Sequence, residues 1–137
     1  MSSIHSTAVI ASGASIHGSC EIGPYAVIGA GVRMGPGNVV SPHVVIEGRT
    51  EIGKNNRFLT SCSIGASPQI TGRSGEVGRL TVGDDNVFRE FVTVHSGGDG
   101  VTVLGSRNLI MATAHVAHDC RLADDVVLAN AATLGGH

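Results

Sequence analysis

The sequence predicts an all-β fold, a parallel β-helix wound from six-residue repeats. Three observations carry that prediction. Aliphatic residues return every six positions, a compact residue usually stands two places before each of them, and glycine often stands one place after. The aliphatic series opens with Ile4, Ile10, Ile16, Ile22 and Ile28 and continues through Met34, Val40, Ile46, Ile52, Phe58 and Ile64 without a slip. It resumes at Val82, Phe88 and Val94, shifts by four, and runs through Leu104, Ile110, Val116, Leu122, Leu128 and Leu134, twenty hexads in all. An amphipathic helix repeats its apolar stripe about every 3.6 residues and a half-buried strand every second residue, so a period of six fits neither. It is the hexapeptide pattern of a β-helix.

Composition agrees. The 137 residues form one domain, 1–137, with 20 glycines, 17 valines, 10 isoleucines, no tryptophan and only four residues of Phe or Tyr. The core is therefore built from aliphatic side chains of similar size. A net charge of −2 argues against a nucleic-acid binder that relies on basic charge. Lysine occurs once, as Lys54, so no polybasic membrane patch exists, and no run approaches the roughly 18 apolar residues of a membrane span. Met1–His5 lacks the basic and apolar regions of a signal peptide, which points to the cytoplasm.

Three hexads make one triangular coil of 18 residues with the aliphatic side chain inside. Twenty hexads give six to seven coils, a column roughly 30 Å tall at the spacing of paired strands. The compact slot holds Ala8, Ala14, Cys20, Ala26, Val44, Cys62, Ala114, Cys120 and Ala132. It also holds Asn38 and Asn56, 18 apart, which should stack as an amide ladder, and Asn86 and Asn108, 22 apart, which should stack if four residues loop out. That loop is expected within 96–102 (SGGDGVT). The glycines after the aliphatic residue, such as Gly35, Gly53 and Gly83, suit bends between short strands. The stretch 66–81 lacks the pattern and reads as an excursion one coil long that leaves the phase intact. On that count Cys62 and Cys120 fall on one face three coils apart, too far for a disulfide. All three cysteines read as reduced core residues. Outward residues such as Val27, Val39 and Val45 leave apolar strips that predict a homotrimer.

The densest polar cluster is Ala114–Cys120 (AHVAHDC). With Val116 inward, His115 and His118 point outward. Gly136 lies 18 residues after His118, so a main-chain N–H should sit about one strand spacing from that imidazole. A histidine beside Asp119 with a nearby N–H donor suits acyl transfer, with a base for the attacking group and a donor for the oxyanion. His95 occupies a slot usually held by glycine and also reads as outward. His5, His17 and His43 read as surface residues, and Arg89-Glu90 and Asp124-Asp125 as solvated pairs. Zinc on three histidines is the competing reading, which the His115–His118 spacing does not favour. No phosphate-binding loop motif is present.

Three segments carry a family resemblance: 86–96 (NVFREFVTVHS), 114–120 (AHVAHDC) and 128–137 (LANAATLGGH). Together they resemble the acyl-ACP:UDP-N-acetylglucosamine O-acyltransferases of lipid A synthesis, and the similarity runs the length of the chain. The resemblance implies a left-handed β-helix, a homotrimer with active sites between subunits, and no cofactor and no metal. It implies transfer of a 3-hydroxyacyl chain from acyl carrier protein to the sugar 3-hydroxyl of UDP-N-acetylglucosamine. Matched to the family's motifs, His118 is the general base, Asp119 orients it and Gly136 offers the oxyanion N–H. His95, His115, His137 and Gln69 then line the substrate site.

Two departures stand out. Where the family often has Asp and then Lys after that Gln, this chain has Ile70 and Gly72. Family members also continue with further coils and a helical C-terminal domain, so a chain ending at His137 reads as a partial form. Two rival readings follow: a nucleotide-sugar N-acyltransferase, and a catalytically silent β-helix serving as a structural module.

Overall fold

The computed structural model describes residues 3–137; Met1 and Ser2, part of the stretch read for a leader, lie outside the described residues. Short parallel strands build three flat sheets, with seven, seven and six strands. The first face runs from Ser3–Ile4 to Val127–Leu128, the second from Val9–Ile10 to Thr133–Leu134, and the third from Ser15–Ile16 to Arg121–Leu122. The chain visits the faces in turn, so strands paired within a sheet are one coil apart. Among the described residues there is no helix, hence none long and apolar enough to cross a membrane.

The inward aliphatic residues form three stacked columns. Ile28, Ile46, Ile64, Val94 and Val116 are fully buried on the second face, as are Phe58, Phe88 and Ile110 on the first. Phe58 and Phe88 stack with ring centroids 4.9 Å apart and planes within 5°. Each such side chain contributes roughly 1.5–3 kcal/mol by leaving water. The columns thin at the ends, where Ile4 is 46% exposed and Leu128 and Leu134 are half-buried.

The corners are built by torsion. Among the described residues, twelve non-glycine residues adopt positive φ, from Tyr25 (59°) to His137 (64°). All but His137 stand three residues before an inward aliphatic residue. Such a conformation costs about 1–2 kcal/mol in an L-residue, but each corner N–H finds an acceptor in the coil below, a carbonyl in most cases and a threonine hydroxyl for Tyr25 and Asp119. His43 donates to Pro24 at 3.1 Å, Asp85 to Lys54 at 2.9 Å and Arg107 to Asp84 at 2.9 Å. The recurrent glycines play a different part from the one expected. Gly35, Gly53 and Gly83 do not take positive φ. A Cβ on them would lie 2.6–2.7 Å from the carbonyl oxygen of the next coil, so close stacking requires them.

The ladder of amides is longer than the sequence spacing indicated. Asn38, Asn56, Asn86 and Asn108 stack in one column, all buried. The Asn56 N–H and Nδ2 donate to Asn38 Oδ1 at 2.8 and 3.0 Å, and those of Asn86 donate to Asn56 Oδ1 at 2.9 and 3.0 Å. The Asn108 N–H donates to Asn86 Oδ1 at 2.9 Å.

Asn56 and Asn86 meet because the excursion is shorter than a coil. Strand partners elsewhere are 18 residues apart, as in Ser3 and Glu21, but across the excursion they are 30 apart, as in Arg57 and Val87. The insertion adds twelve residues, two hexads, and not the full coil counted from the sequence. Strands Ser63–Ala66 and Arg79–Val82 consequently lie on neighbouring faces of one coil. This corrects the placement of the cysteines. Cys62 precedes a strand of the second face and Cys120 one of the third, so they share no face. Both are buried free thiols, and burial pushes Cys62 up to about 12, beyond use as a nucleophile. Across residues 96–100 the offset is 22, as in Thr93 and His115.

The ladder yields a graded prediction. Asn56→Ala strips the Asn86 N–H of its acceptor and Gly83 C=O of its Nδ2 donor, and should destabilise by about 2–4 kcal/mol. Asn108 Nδ2 has no partner, so Asn108→Ala should cost clearly less. Urea unfolding of the two variants checks the ranking.

Candidate active site

A cleft opens along the edge of the second face, lined by Gln69, His95, His115, Ala117, His118 and Gly136. Strand pairing assembles it. Thr93 and His115 are register partners, as are Val94 and Val116, so burying the two valines turns Thr93 and His115 outward. Thr93 Oγ1 and His115 Nδ1 are 2.7 Å apart. His95, at the end of the same strand, lies edge-to-face on His115 with centroids 4.6 Å apart. His95 faces the cleft, as its outward slot indicated, but is only 7% exposed, so it forms a wall of the cleft. Its Nδ1 is buried without a partner. Burial pushes the His95 pKa below the ordinary histidine value, and the charges of His115 and His118 add to this. Burial lowers His115 as well. Both rings are therefore held neutral near pH 7.

His118 and Asp119 occupy the next corner. Asp119 takes φ of 62° and anchors its own N–H on Thr102 Oγ1 at 2.9 Å. Its Oδ2 accepts from His118 Nδ1 at 2.8 Å and from Gly98 N–H at 2.9 Å, and its Oδ1 accepts from Gly100 N–H at 3.3 Å. Burial alone would raise this carboxyl, but the His118 bond and the two amide bonds outweigh it and hold the pKa below the usual carboxylate range. An ionised carboxylate only accepts. His118 Nδ1 must then carry the proton, which leaves the Nε2 lone pair free.

The far edge of that ring lies against Gly136. A Cβ on Gly136 would lie 2.4 Å from both Cε1 and Nε2 of His118, so any side chain there would displace the imidazole. The His137 N–H is taken by the His118 carbonyl at 3.0 Å, and its ring lies edge-to-face on His118 with centroids 5.0 Å apart. Gln69 projects from the excursion, exposed, at the cleft mouth. All seven residues singled out in the sequence thus gather at one corner. Ligand atoms of His118, Asp119 and His137 fall within 4.8 Å of one another. Asp119, however, already caps the Nδ1 side of the imidazole and serves two amides, while Nε2 looks the other way. That donor set suits a proton acceptor better than a cation.

Sequence reasoning missed Gly98, Gly100 and Thr102, which hold Asp119. A signal was available: the four-residue insertion is glycine-rich and falls one coil before Asp119.

The neutral histidines set an acid sensitivity. A histidine whose folded pKa is depressed stays neutral while the unfolded chain begins to take up a proton, from about pH 6.5 downward. Stability should fall as pH drops from about 7 to about 5. Removing the titrating ring by His95→Gln should flatten that slope, as read from urea midpoints across the range.

The profile of the bacterial transferase hexapeptide (six repeats) family matches residues 1–36. The chain is 48% identical over 136 residues to the acyl-[acyl-carrier-protein]–UDP-N-acetylglucosamine O-acyltransferase of Syntrophobacter fumaroxidans, covering 97% of this chain and 53% of that protein. The protein of the same name from Thermodesulfovibrio yellowstonii is 45% identical over all of this chain and 54% of its own length. Among solved structures, the UDP-N-acetylglucosamine acyltransferase of Francisella novicida superposes with a TM-score of 0.95 at 39% identity, over 98% of this chain and 50% of that one. That of Campylobacter jejuni gives 0.92 at 36%, over 98% and 53%. The chain spans about half the length of the curated relatives it matches. The fold is a left-handed parallel β-helix. Over its own length the chain is thus similar to about half of the acyl-[acyl-carrier-protein]–UDP-N-acetylglucosamine O-acyltransferases, and its first 36 residues carry the bacterial transferase hexapeptide pattern.

Proposed function

We propose that this chain carries the catalytic corner of a cytoplasmic acyltransferase that moves a 3-hydroxyacyl group from acyl carrier protein to the 3-hydroxyl of UDP-N-acetylglucosamine, the first step of lipid A synthesis. One observation carries the reading most. The His118 imidazole is fixed by Asp119 at Nδ1 and turns Nε2 toward a glycine backbone one coil away, inside a polar cleft. In the step so proposed, Nε2 accepts the sugar hydroxyl proton as that oxygen attacks the thioester carbonyl. The C=O π pair moves onto oxygen, where the Gly136 N–H stabilises it. Collapse reforms the carbonyl and breaks the C–S bond, and the imidazolium returns its proton to the leaving thiolate. Asp119 stabilises the transient imidazolium. Gln69, His95, His115 and His137 contact the nucleotide sugar. No cofactor enters the scheme.

The reading includes a homotrimer with the cleft completed by a neighbouring subunit. Val9, Val27 and Val127 are 59%, 40% and 60% exposed, and Tyr25 and Phe91 are 58% and 59% exposed. Such outward apolar surface is supplied with a natural cover by a second copy. Multi-angle light scattering should give three times the monomer mass at micromolar concentration; a stable monomer would overturn this part.

Catalysis is tested by transfer of a labelled 3-hydroxyacyl group in the active protein. His118→Ala should lower kcat by about 10²–10⁴ with the fold intact, because the side chain fills no core volume. Gly136→Ala should be comparably damaging, since the added methyl collides with the His118 ring. His115→Ala should act mainly on KM. Base hydrolysis of the product separates ester from amide and so decides the acceptor atom.

A further inference from the structure

The excursion and the glycine loop meet on a side chain that the scheme above leaves unused. Arg73 reaches from the excursion into the 96–100 loop, and its side chain is 17% exposed. Nη2 donates to the carbonyls of Glu76, at 2.6 Å, and of Gly98, and Nη1 pairs with Asp99 Oδ1 at 2.9 Å. Nε is buried with no acceptor. The Asp99 side chain is 95% exposed, so that ion pair contributes little. The dominant contacts are the two charge-assisted bonds to main-chain carbonyls from a mostly buried guanidinium.

Gly98 is held on two sides at once. Its carbonyl accepts from Arg73, while its N–H donates to Asp119 Oδ2. A Cβ at Gly98 would meet Asp119 Oδ2 at 3.1 Å and Ile70 Cδ1 at 3.2 Å, so the peptide is already clamped between the excursion and the carboxylate. Backbone bonds close the seam, with Gly78 N–H donating to Gly97 C=O at 2.7 Å and Arg79 N–H to Gly100 C=O at 3.0 Å. Ile70, a departure from the family pattern, thus packs against this loop.

We propose that Arg73 is a positioning residue for acyl transfer: it fixes the Gly98–Gly100 loop so that two amides hold the Asp119 carboxylate, and through Asp119 it sets the Nδ1–H tautomer and orientation of His118. A loop of Gly-Gly-Asp-Gly has high backbone freedom, and its ordering needs an external tie. Arginine supplies one because its planar fork serves two carbonyls together, which a lysine ammonium cannot do with the same geometry.

The test uses 15N-labelled chain and needs no substrate. In the wild type, His118 should show the Nδ1–H tautomer, and the Gly98 and Gly100 amides should exchange slowly. Arg73→Met, which keeps the stem volume, should speed exchange of both amides at least tenfold and abolish the Nδ1–H preference. Arg73→Lys should recover only part of each. A second variant, Arg73→Gln, guards against a folding failure of the first. Unchanged His118 tautomer in a folded Arg73 variant overturns the proposal, whether or not amide exchange quickens. The rate arm rests on the proposed acyl transfer: kcat should fall about 10- to 100-fold with the KM for the nucleotide sugar little changed. If the wild type transfers no acyl group, that reading fails, while the tautomer measurement still decides the role of Arg73.

Discussion

The structure rests on one constraint: each strand hydrogen-bonds to the strand one coil away. The ladder from Ser3 opposite Glu21 to His115 opposite Thr133 leaves no slack, and backbone bonds along the corners cluster near 3 Å. Any change in coil length must therefore be expelled sideways. This chain expels residues twice, twelve in the excursion and four in the glycine loop, and apart from a register shift between Ile64 and Ala66 the strand pairing resumes on either side. Both bulges emerge beside the corner that bears His118. The polar chemistry of the molecule is collected where the repeat is broken.

Much of this was legible in the sequence because burial in a prism leaves a strict periodic trace. Val116 inward forces His115 outward, and 18 residues carry His118 to Gly136. What stayed hidden did so for physical reasons. An excursion erases the period, so its length could not be counted from the gap between Ile64 and Val82; only the pairing of Arg57 with Val87 fixes it. The error carried over to Cys62 and Cys120, and it concealed that Asn56 meets Asn86. The burial of His95 was invisible for a related reason. An outward slot is normally wet, but here the two bulges and His115 roof it over. The amides that hold Asp119 left only an indirect trace, the glycine-rich insertion one coil before it, because a glycine N–H has no side-chain signature.

The amide ladder and the His118 corner are two uses of the same register. In the ladder, a side-chain carbonyl bonds an N–H one coil up, and rigidity results. At the corner, a side-chain carboxylate bonds N–H groups of the loop one coil down, and a fixed imidazole results. The energetic contexts differ. The asparagines are neutral and buried, so each satisfied bond specifies alignment against a penalty of about 1–3 kcal/mol for leaving it open. Asp119 is charged, and two amides and an imidazole offset the desolvation that burial alone would impose.

Stacking also explains why the corner tolerates so little variation in its acceptor side. His118 and Gly136 belong to successive coils, so their separation is a strand spacing and not an adjustable loop distance. The His137 N–H bond to the His118 carbonyl locks that spacing at the main chain. A side chain at 136 would occupy the space beside Nε2, and no rotation of the coil could relieve it without breaking pairs above and below. The imidazole is therefore placed by the column and held at Nδ1 by Asp119.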